Sequence, residues 1–554
     1  MKSLRSIQPS VWILYAGLAV ACTSPVWGVA YFVNQDGSAH IESAYLMTEV
    51  LRGNPIISET YVLNSICIPN SSVHIILAVL LQMFTAFTAT KIVVCGLFAG
   101  VVGAVGWLRF MTVGIDGLKT SLLIGAVVGF NWLWLSGSYN FIFSVIVFAF
   151  TLGLYWHWRE RLSLGRAAIL TLLLTVAYFS HIMGFLILAG SLIVLALRLE
   201  KSLRFRTLVI TLACILPTVP LAIWYTAISN DGSPASPVWR SLADPYSFAS
   251  WFTQIRSADA FVLISKTAFP FVEARHVWFG ALSPALWMIA ALTLLLFVTI
   301  RRRPIFSCLS SRYLPFAILL LISILLAMFG PDDFGLSRGG IIRERIVICG
   351  VVFVVPLFRA AGSTILKRTA QILLMLVILF QLAAVWDYSM RSTMAASEYA
   401  AAGPAMNGLR SIASVTVYRE HPRFHSTPET QLNLYNSIGN TMVAWDNYEC
   451  GYFLFPIRNK NKVDKDFTLR LASSNVFMSD DPPAVFAERL AGLDSALAND
   501  DGRLDALLVW SGRPDVDEVI WKYFEITPFY ESSNLRLFRR KKMTSTEIKY
   551  DIPR

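Results

Sequence analysis

Eleven apolar runs, separated by short clusters of Lys and Arg, fill the first 385 residues of this chain. In hydrocarbon there is no water to hydrogen-bond the backbone, so such runs must close their own bonds as helices. They read as Val11–Val33, Ile92–Met111, Ser121–Leu135, Phe141–Trp156, Ala167–Phe179, Met183–Leu197, Thr207–Ile228, Ala281–Ile300, Leu314–Phe329, Ile346–Phe358 and Ala370–Val385. Several fall short of the roughly 20 residues an upright crossing takes, which predicts tilted, broken or partly inserted helices. Only 15% of residues are charged, against about a quarter in soluble domains. The chain is an α-helical polytopic membrane protein of about eleven spans.

The net charge of +11 would suit nucleic acid if it formed a stripe interleaved with aromatics, but it sits in clusters between spans. Lys2, Arg5, Arg109, Lys119, Arg159, Arg161 and Arg166 fall on one side. So do Arg198, Lys201, Arg204, Arg206, Arg301, Arg302, Arg303, Arg312, Arg359, Lys367 and Arg368, with only Asp116, Glu160 and Glu200 beside them. That bias marks the cytoplasmic side of a cytoplasmic (inner) membrane. Met1–Ser10 has the charge of a signal-peptide head, but the run after it is too long for one and reads as an uncleaved span with a cytoplasmic N-terminus. Val73–Thr88 is short for a crossing and, laid along the outer interface, keeps the alternation of sides consistent.

On this reading 1–389 is the membrane domain, with outer loops 34–91, 229–280 and 330–345. The loop 229–280 carries Trp239, Trp251 and Trp278 among scattered charges, as segments lying on a membrane surface do. Residues 390–554 form an extracytoplasmic α/β domain. There Ser414–Tyr418 and Leu504–Trp510 read as strands and Pro483–Leu497 as a helix. The seven cysteines show no CxxC or metal-ligand spacing; most read as small buried hydrophobes, and Cys67 with Cys450 is the one pair that shares the outer side.

Polar groups at the outer membrane surface are the candidate chemistry. Asn34–Glu42 sets Asp36, His40 and Glu42 within seven residues at the mouth of the first span. A helix starting near Gly37 would bring Asp36 and His40 together at i, i+4, and a carboxylate just outside hydrocarbon stays ionised and able to accept a proton. The plain alternative is a solvated loop with a glycine turn. His74 opens the interfacial run, and His181 lies between two apolar runs; an interfacial ring and a helix cap are their plain readings. Arg338, Arg343 and Arg345, with Glu344, oppose the positive-inside trend, so either Glu344 or a lipid phosphate balances them. The histidines lie on different segments and match no zinc signature, so no metal site is assigned. An outer-face Mg or Mn ion on carboxylate and phosphate oxygens stays open.

Asp36-Gly37-Ser38-Ala39-His40, Gly137-Ser138-Tyr139-Asn140-Phe141, Tyr178-Phe179-Ser180-His181 and Trp445-Asp446-Asn447-Tyr448-Glu449 resemble a loosely characterised bacterial group within the GT-C glycosyltransferases. That superfamily includes the protein O-mannosyltransferases and the lipid A aminoarabinose transferases. The resemblance implies a sugar taken from a polyprenyl-phosphate carrier on the outer face and passed to a glycan, lipid or protein acceptor. The catalytic acid of the family's first outer loop carries over to Asp36. Its frequent second, adjacent acid is missing, since Gln35 precedes and Gly37 follows; Glu42 is the nearest substitute.

The expectation is glycosyl transfer with Asp36 as base, Arg343 or Arg345 at the donor phosphate, and His40, Glu42, His74 and His181 orienting substrates. The rival readings are a transporter or flippase of lipid-linked sugars and a non-catalytic envelope scaffold. Transporters place polar groups and broken helices near the midplane, whereas here the polar cluster sits at one face.

Overall fold

The computed structural model describes residues 7–65, 67–198, 201–228, 284–300, 312–330, 341–358, 364–418, 426–479 and 481–541. The aromatic loop 229–280, Arg338, and the basic residues Lys2, Arg5, Arg301–Arg303 and Arg359 lie outside them.

Helices fill the first part of the chain: α1 (Pro9–Trp27), α2 (Gly37–Arg52), α3 (Pro55–Thr60), α4 (Ser72–Leu80), α5 (Ala86–Thr112), α6 (Leu118–Gly129), α7 (Trp132–Ser136) and α8 (Tyr139–Trp158). They continue as α9 (Leu164–Ser180), α10 (Ile182–Leu197), α11 (Lys201–Ile215), α12 (Val219–Ile228), α13 (Pro284–Ile300), α14 (Leu314–Phe329), α15 (Ile342–Val354) and α16 (Thr364–Ala402). Among the described residues five helices are long and apolar enough to cross a membrane, and five more are apolar but shorter. This is a helical membrane protein.

Three expected runs differ in detail. Val73–Thr88 is not one segment: α4 has nine residues, about 13 Å of helix, too short to cross about 30 Å of hydrocarbon. The chain then turns at Leu81–Phe84, and Ala86–Thr88 begin α5, where Thr85 Oγ1 accepts the Thr88 N–H. That cap starts α5 six residues before Ile92. The run Ser121–Leu135 is broken at Phe130-Asn131. Asn131 Oδ1 starts α7 by accepting the Trp134 N–H, while Gln381 Nε2 donates to the carbonyls of Val127 and Phe130 at 3.1 and 2.7 Å. Such a break within an apolar run is tolerated because side chains occupy the freed backbone groups. Finally, Thr207–Ile228 is split by a 3-10 turn at Leu216–Thr218, where Pro217 and Pro220 each remove a helical donor.

The last membrane helix is the strut of the molecule. Its 39 residues extend about 58 Å, roughly twice the hydrocarbon thickness, so its C-terminal half runs on into the second part of the chain. There Tyr399 stacks on Trp510 at 5.6 Å, and Glu398 accepts from Ser532 Oγ, Asn534 N–H and Asn534 Nδ2.

The C-terminal part is α/β. It contains β2 (Ser411–Val417), α17 (Asn433–Asn440), β3 (Val443–Ala444), α18 (Tyr448–Gly451), β4 (Ile457–Asn459), α19 (Lys462–Ser474), β5 (Val476–Phe477) and α20 (Pro483–Ala498). After these come β6 (Ala506–Trp510), α21 (Pro514–Tyr523), β7 (Tyr530–Glu531) and β8 (Leu535–Arg539). The sheet order is β3-β2-β6-β8-β7 with β5 also on β2; β3, β5 and β6 run parallel to β2, and β8 is antiparallel to β6. Both central strands are buried along their whole length; β6 reads as a continuous apolar run for that reason, whereas β2 also buries Ser411, Ser414 and Thr416.

The first loop does not stand apart from this domain. Its strand β1 (Tyr61–Leu63) pairs antiparallel with β4, Tyr61 opposite Asn459 and Leu63 opposite Ile457. Phe87 of α5 stacks on Tyr435 of α17 at 4.2 Å, and Thr90 Oγ1 lies 3.0 Å from Tyr435 Oη. Cys67 and Cys450 are both free thiols, so no disulfide joins the two parts.

Candidate functional site

The four motif stretches of the sequence meet in one place. Asn34 Nδ2 donates to the carbonyls of Trp134 and Leu135, its Oδ1 accepts from Tyr139 Oη at 2.7 Å, and the Asp36 N–H donates to Ser136. Gly37 and Gly137 permit this approach: Gly137 has φ +96, and a methyl on it would lie 2.7 Å from the Gly37 nitrogen. From the third stretch, the Phe179 carbonyl accepts the Ser71 N–H and so fixes the start of α4. The fourth supplies Asp446, Asn447 and Glu449. Asp446 is buried and accepts from Ser414 N–H, Ser414 Oγ and Asn433 Nδ2.

Helix α2 starts where the spacing puts it, at Gly37, with Asp36 as its N-cap residue; the Asp36 side chain nevertheless makes no capping bond. Aspartate usually spends its carboxylate on that bond. Here it lines a cleft of about 710 Å³ between α2 and the α/β domain, with Gln35, Tyr448, Gln431, Asp481 and Arg489 among the other walls. Small-molecule sites commonly measure 300–1,000 Å³. Gln35 Oε1 bridges the two parts by accepting the Thr427 N–H. Gln431 takes a left-handed φ of 60°, a conformation that costs about 1–2 kcal/mol in a residue other than glycine. Its Nε2 holds the Asp446 carbonyl, leaving a buried Oε1 with no protein partner among the described residues. Strain and an unused polar atom in one cleft residue are marks of a binding site.

Burial lifts the Asp36 carboxyl to about 6, with His40 and Arg345 pulling it down and Glu449 adding to the rise. Burial also lifts Glu42 to about 8, against hydrogen bonds from Ser437 Oγ at 2.5 Å and Asn447 Nδ2 at 2.7 Å. Glu449 goes the other way. Burial alone would raise it, but His40 and His74 outweigh burial and hold it well below the usual carboxylate range. Burial depresses His40, and Glu449 more than restores it, so its net displacement is upward.

Among the described residues, Asp36 alone of the expected set lines the cleft. Glu42 is buried and pins α2 to α17 and Asn447, so it is not placed as a second acid beside Asp36. His40 and His74 come together below the cleft, their nitrogens 3.2 Å apart, with Glu449 against both. His181 sits apart as the N-cap of α10, accepting the Met183 N–H, with its ring on the Phe141 edge. Arg343 donates to the Ala327 carbonyl near the end of α14. Arg345 packs over Phe141, its Nε buried without a partner among the described residues, and acts electrostatically on Asp36. Sequence reasoning missed Glu449, Gln431 and Arg489. The signal for Glu449 was its place in a dense polar stretch, Trp445–Glu449; nothing local pointed to the other two.

No protein-family model matches the chain, and no curated protein matches it significantly.

Proposed function

We propose that the protein is a glycosyltransferase that moves a sugar from a polyprenyl-phosphate carrier to a glycan, lipid or protein acceptor. The reaction would take place at the outer face of the cytoplasmic membrane, with about eleven spans holding the carrier's tail and the α/β domain outside. The observation that carries this reading is the uncapped Asp36 carboxylate at the start of α2, in a cleft otherwise walled by Gln35 and the α/β domain, where the helical part of the chain meets that domain. A lipid-linked donor needs such a junction, because its tail stays in hydrocarbon while its sugar reacts in a polar pocket.

In this mechanism an acceptor hydroxyl attacks the anomeric carbon and gives its proton to Asp36. The bond from the anomeric carbon to the phosphate oxygen breaks, and the carrier phosphate leaves with the electron pair. Arg345, which does not line the cleft but acts electrostatically on Asp36, offsets the charge developing on that oxygen through space. Gln431 and Tyr448 hold the sugar or the acceptor in the cleft. Arg343, committed to the Ala327 carbonyl, has no part in it.

The test is a transfer assay in native membranes with a panel of labelled polyprenyl-phosphate sugars. Donor-dependent appearance of label in an acceptor supports the reading. Should no donor on a broad panel react while the protein moves lipid-linked sugar across liposomes, transport replaces it.

A further inference from the structure

Below the cleft, His40, His74 and Glu449 bring three donor atoms from three remote segments within 4.8 Å of one another. They are 6%, 0% and 0% exposed. Phe455 packs against both imidazoles, and Tyr139 against His40. We propose that these three side chains hold a divalent transition metal of the zinc class, which clips α2 and α4 to the α/β domain.

The orientation of the rings is the first argument. His74 Nδ1 lies 2.8 Å from the Asn70 carbonyl, an acceptor only, and at a longer 3.3 Å from Asn140 Nδ2, whose Oδ1 is taken by the Val73 N–H. The shorter contact places the hydrogen on Nδ1, so Nε2 presents its lone pair towards Glu449 Oε2 at 2.9 Å. His40 hydrogen-bonds the Gly137 backbone and turns Nδ1 to the same point. Metal-binding histidines are characteristically held in this way, one nitrogen on a backbone carbonyl and the other on the ion.

The second argument is what the atoms do to one another. His40 Nδ1 and His74 Nε2 stand 3.2 Å apart. Two nitrogens at 2.0–2.1 Å from one tetrahedral ion are separated by about 3.3 Å. With the hydrogen on His74 Nδ1, a proton on His40 Nδ1 can serve His74 Nε2 or Glu449 Oε1, but Glu449 Oε2 still faces the Nε2 lone pair at 2.9 Å, a contact that an ion between them satisfies. Glu449 Oε1 lies 2.5 Å from His40 Nδ1, yet it has no aligned hydrogen-bond partner. An ion between them would open this contact towards the tetrahedral separation of about 3.3 Å. Two imidazoles and a carboxylate suit zinc. The same donor set serves non-haem iron where positions open towards a substrate, but here aromatic rings pack against both imidazoles and neither histidine nor Glu449 lines the cleft.

The site does not depend on glycosyl transfer, because its test needs no turnover. Full-length protein, purified through a tag without histidine and without chelator, is analysed for metals. It is then stripped and titrated with Zn(II) and Co(II). The expected results are one zinc per chain, a tetrahedral Co(II) visible spectrum, and a fall in Tm on stripping that Zn(II) reverses. His74→Gln and Glu449→Gln should each lose the ion. If either variant fails to fold, nitrogen hyperfine coupling from Co(II) bound to the wild type decides. Protein that takes up neither ion would make the cluster a proton-linked triad and overturn the proposal. Iron in the site, or binding unchanged in both variants, would overturn it equally.

Discussion

Gly137→Ala is the sharpest perturbation of the site, because the damage can be worked out atom by atom. Gly137 has φ +96, and an added Cβ would sit 2.7 Å from the Gly37 nitrogen and 3.2 Å from the Asp36 backbone. Ordinary contact begins at 3.4 Å, a shortfall of about 0.7 Å against main-chain atoms that have no rotamer to escape into. Left-handed strain costs about 1–2 kcal/mol and the overpacking about 1–3 kcal/mol more. Gly408→Ala is the control: its φ is +87, but nothing lies within 4 Å of its Cβ, so it bears only the strain. Both variants are melted in detergent and assayed for transfer. Gly137→Ala should lose about 2–5 kcal/mol, against about 1–2 kcal/mol for Gly408→Ala. A displacement near 1 Å at Asp36 costs on the order of 100-fold in rate; Gly408→Ala should keep its rate. Equal melting and equal rates would refute the idea that the Gly37–Gly137 approach sets the position of Asp36.

Three further outcomes follow from individual contacts. Glu398→Gln removes the charge that binds Ser532 and Asn534 and should cost about 1 kcal/mol once solvent screening is allowed for. Those bonds outweigh burial and lower the Glu398 carboxyl in the fold. Its contribution is therefore present above the unfolded value and lost as pH falls through the folded one; thermal melts from pH 7 to pH 3 should show wild type and variant converging. Asp446→Leu orphans Ser414 N–H, Ser414 Oγ and Asn433 Nδ2 in a fully buried place and should cost about 3 kcal/mol or more, read by denaturation. Gln381→Leu leaves the carbonyls of Val127 and Phe130 without their donor, about 1 kcal/mol per bond inside a helical bundle; unchanged Tm would argue against its role in holding the α6–α7 break.

Regular elements were legible wherever burial imposed a period or a run. The strand expected at Ser414–Tyr418 is Ser411–Val417, the one at Leu504–Trp510 is Ala506–Trp510, and the helix at Pro483–Leu497 is Pro483–Ala498. Breaks inside apolar runs were less so, because the partner that satisfies the broken backbone at Phe130-Asn131 is Gln381, some 250 residues away in sequence. Asp36 could be singled out from local spacing, since α2 places it and His40 together. Glu449 could not: it lies 375 residues from His74, and contacts between parts of the chain remote in sequence, such as the pairing of β1 with β4, bring them together. His181 shows the converse. Its position between two apolar runs suits a ligand or a cap equally, and only the bond from Met183 N–H identifies it as the cap.

The central claim, that Asp36 is the base of a glycosyl transfer, is tested most directly by Asp36→Asn. The side chain makes no capping bond, so the isosteric amide should fold normally, with an unchanged Tm. Compared at matched expression in membranes supplied with an accepted donor, the variant should lose transfer by about 10²–10⁴-fold. Transfer equal to wild type from a folded Asp36→Asn protein would contradict the account.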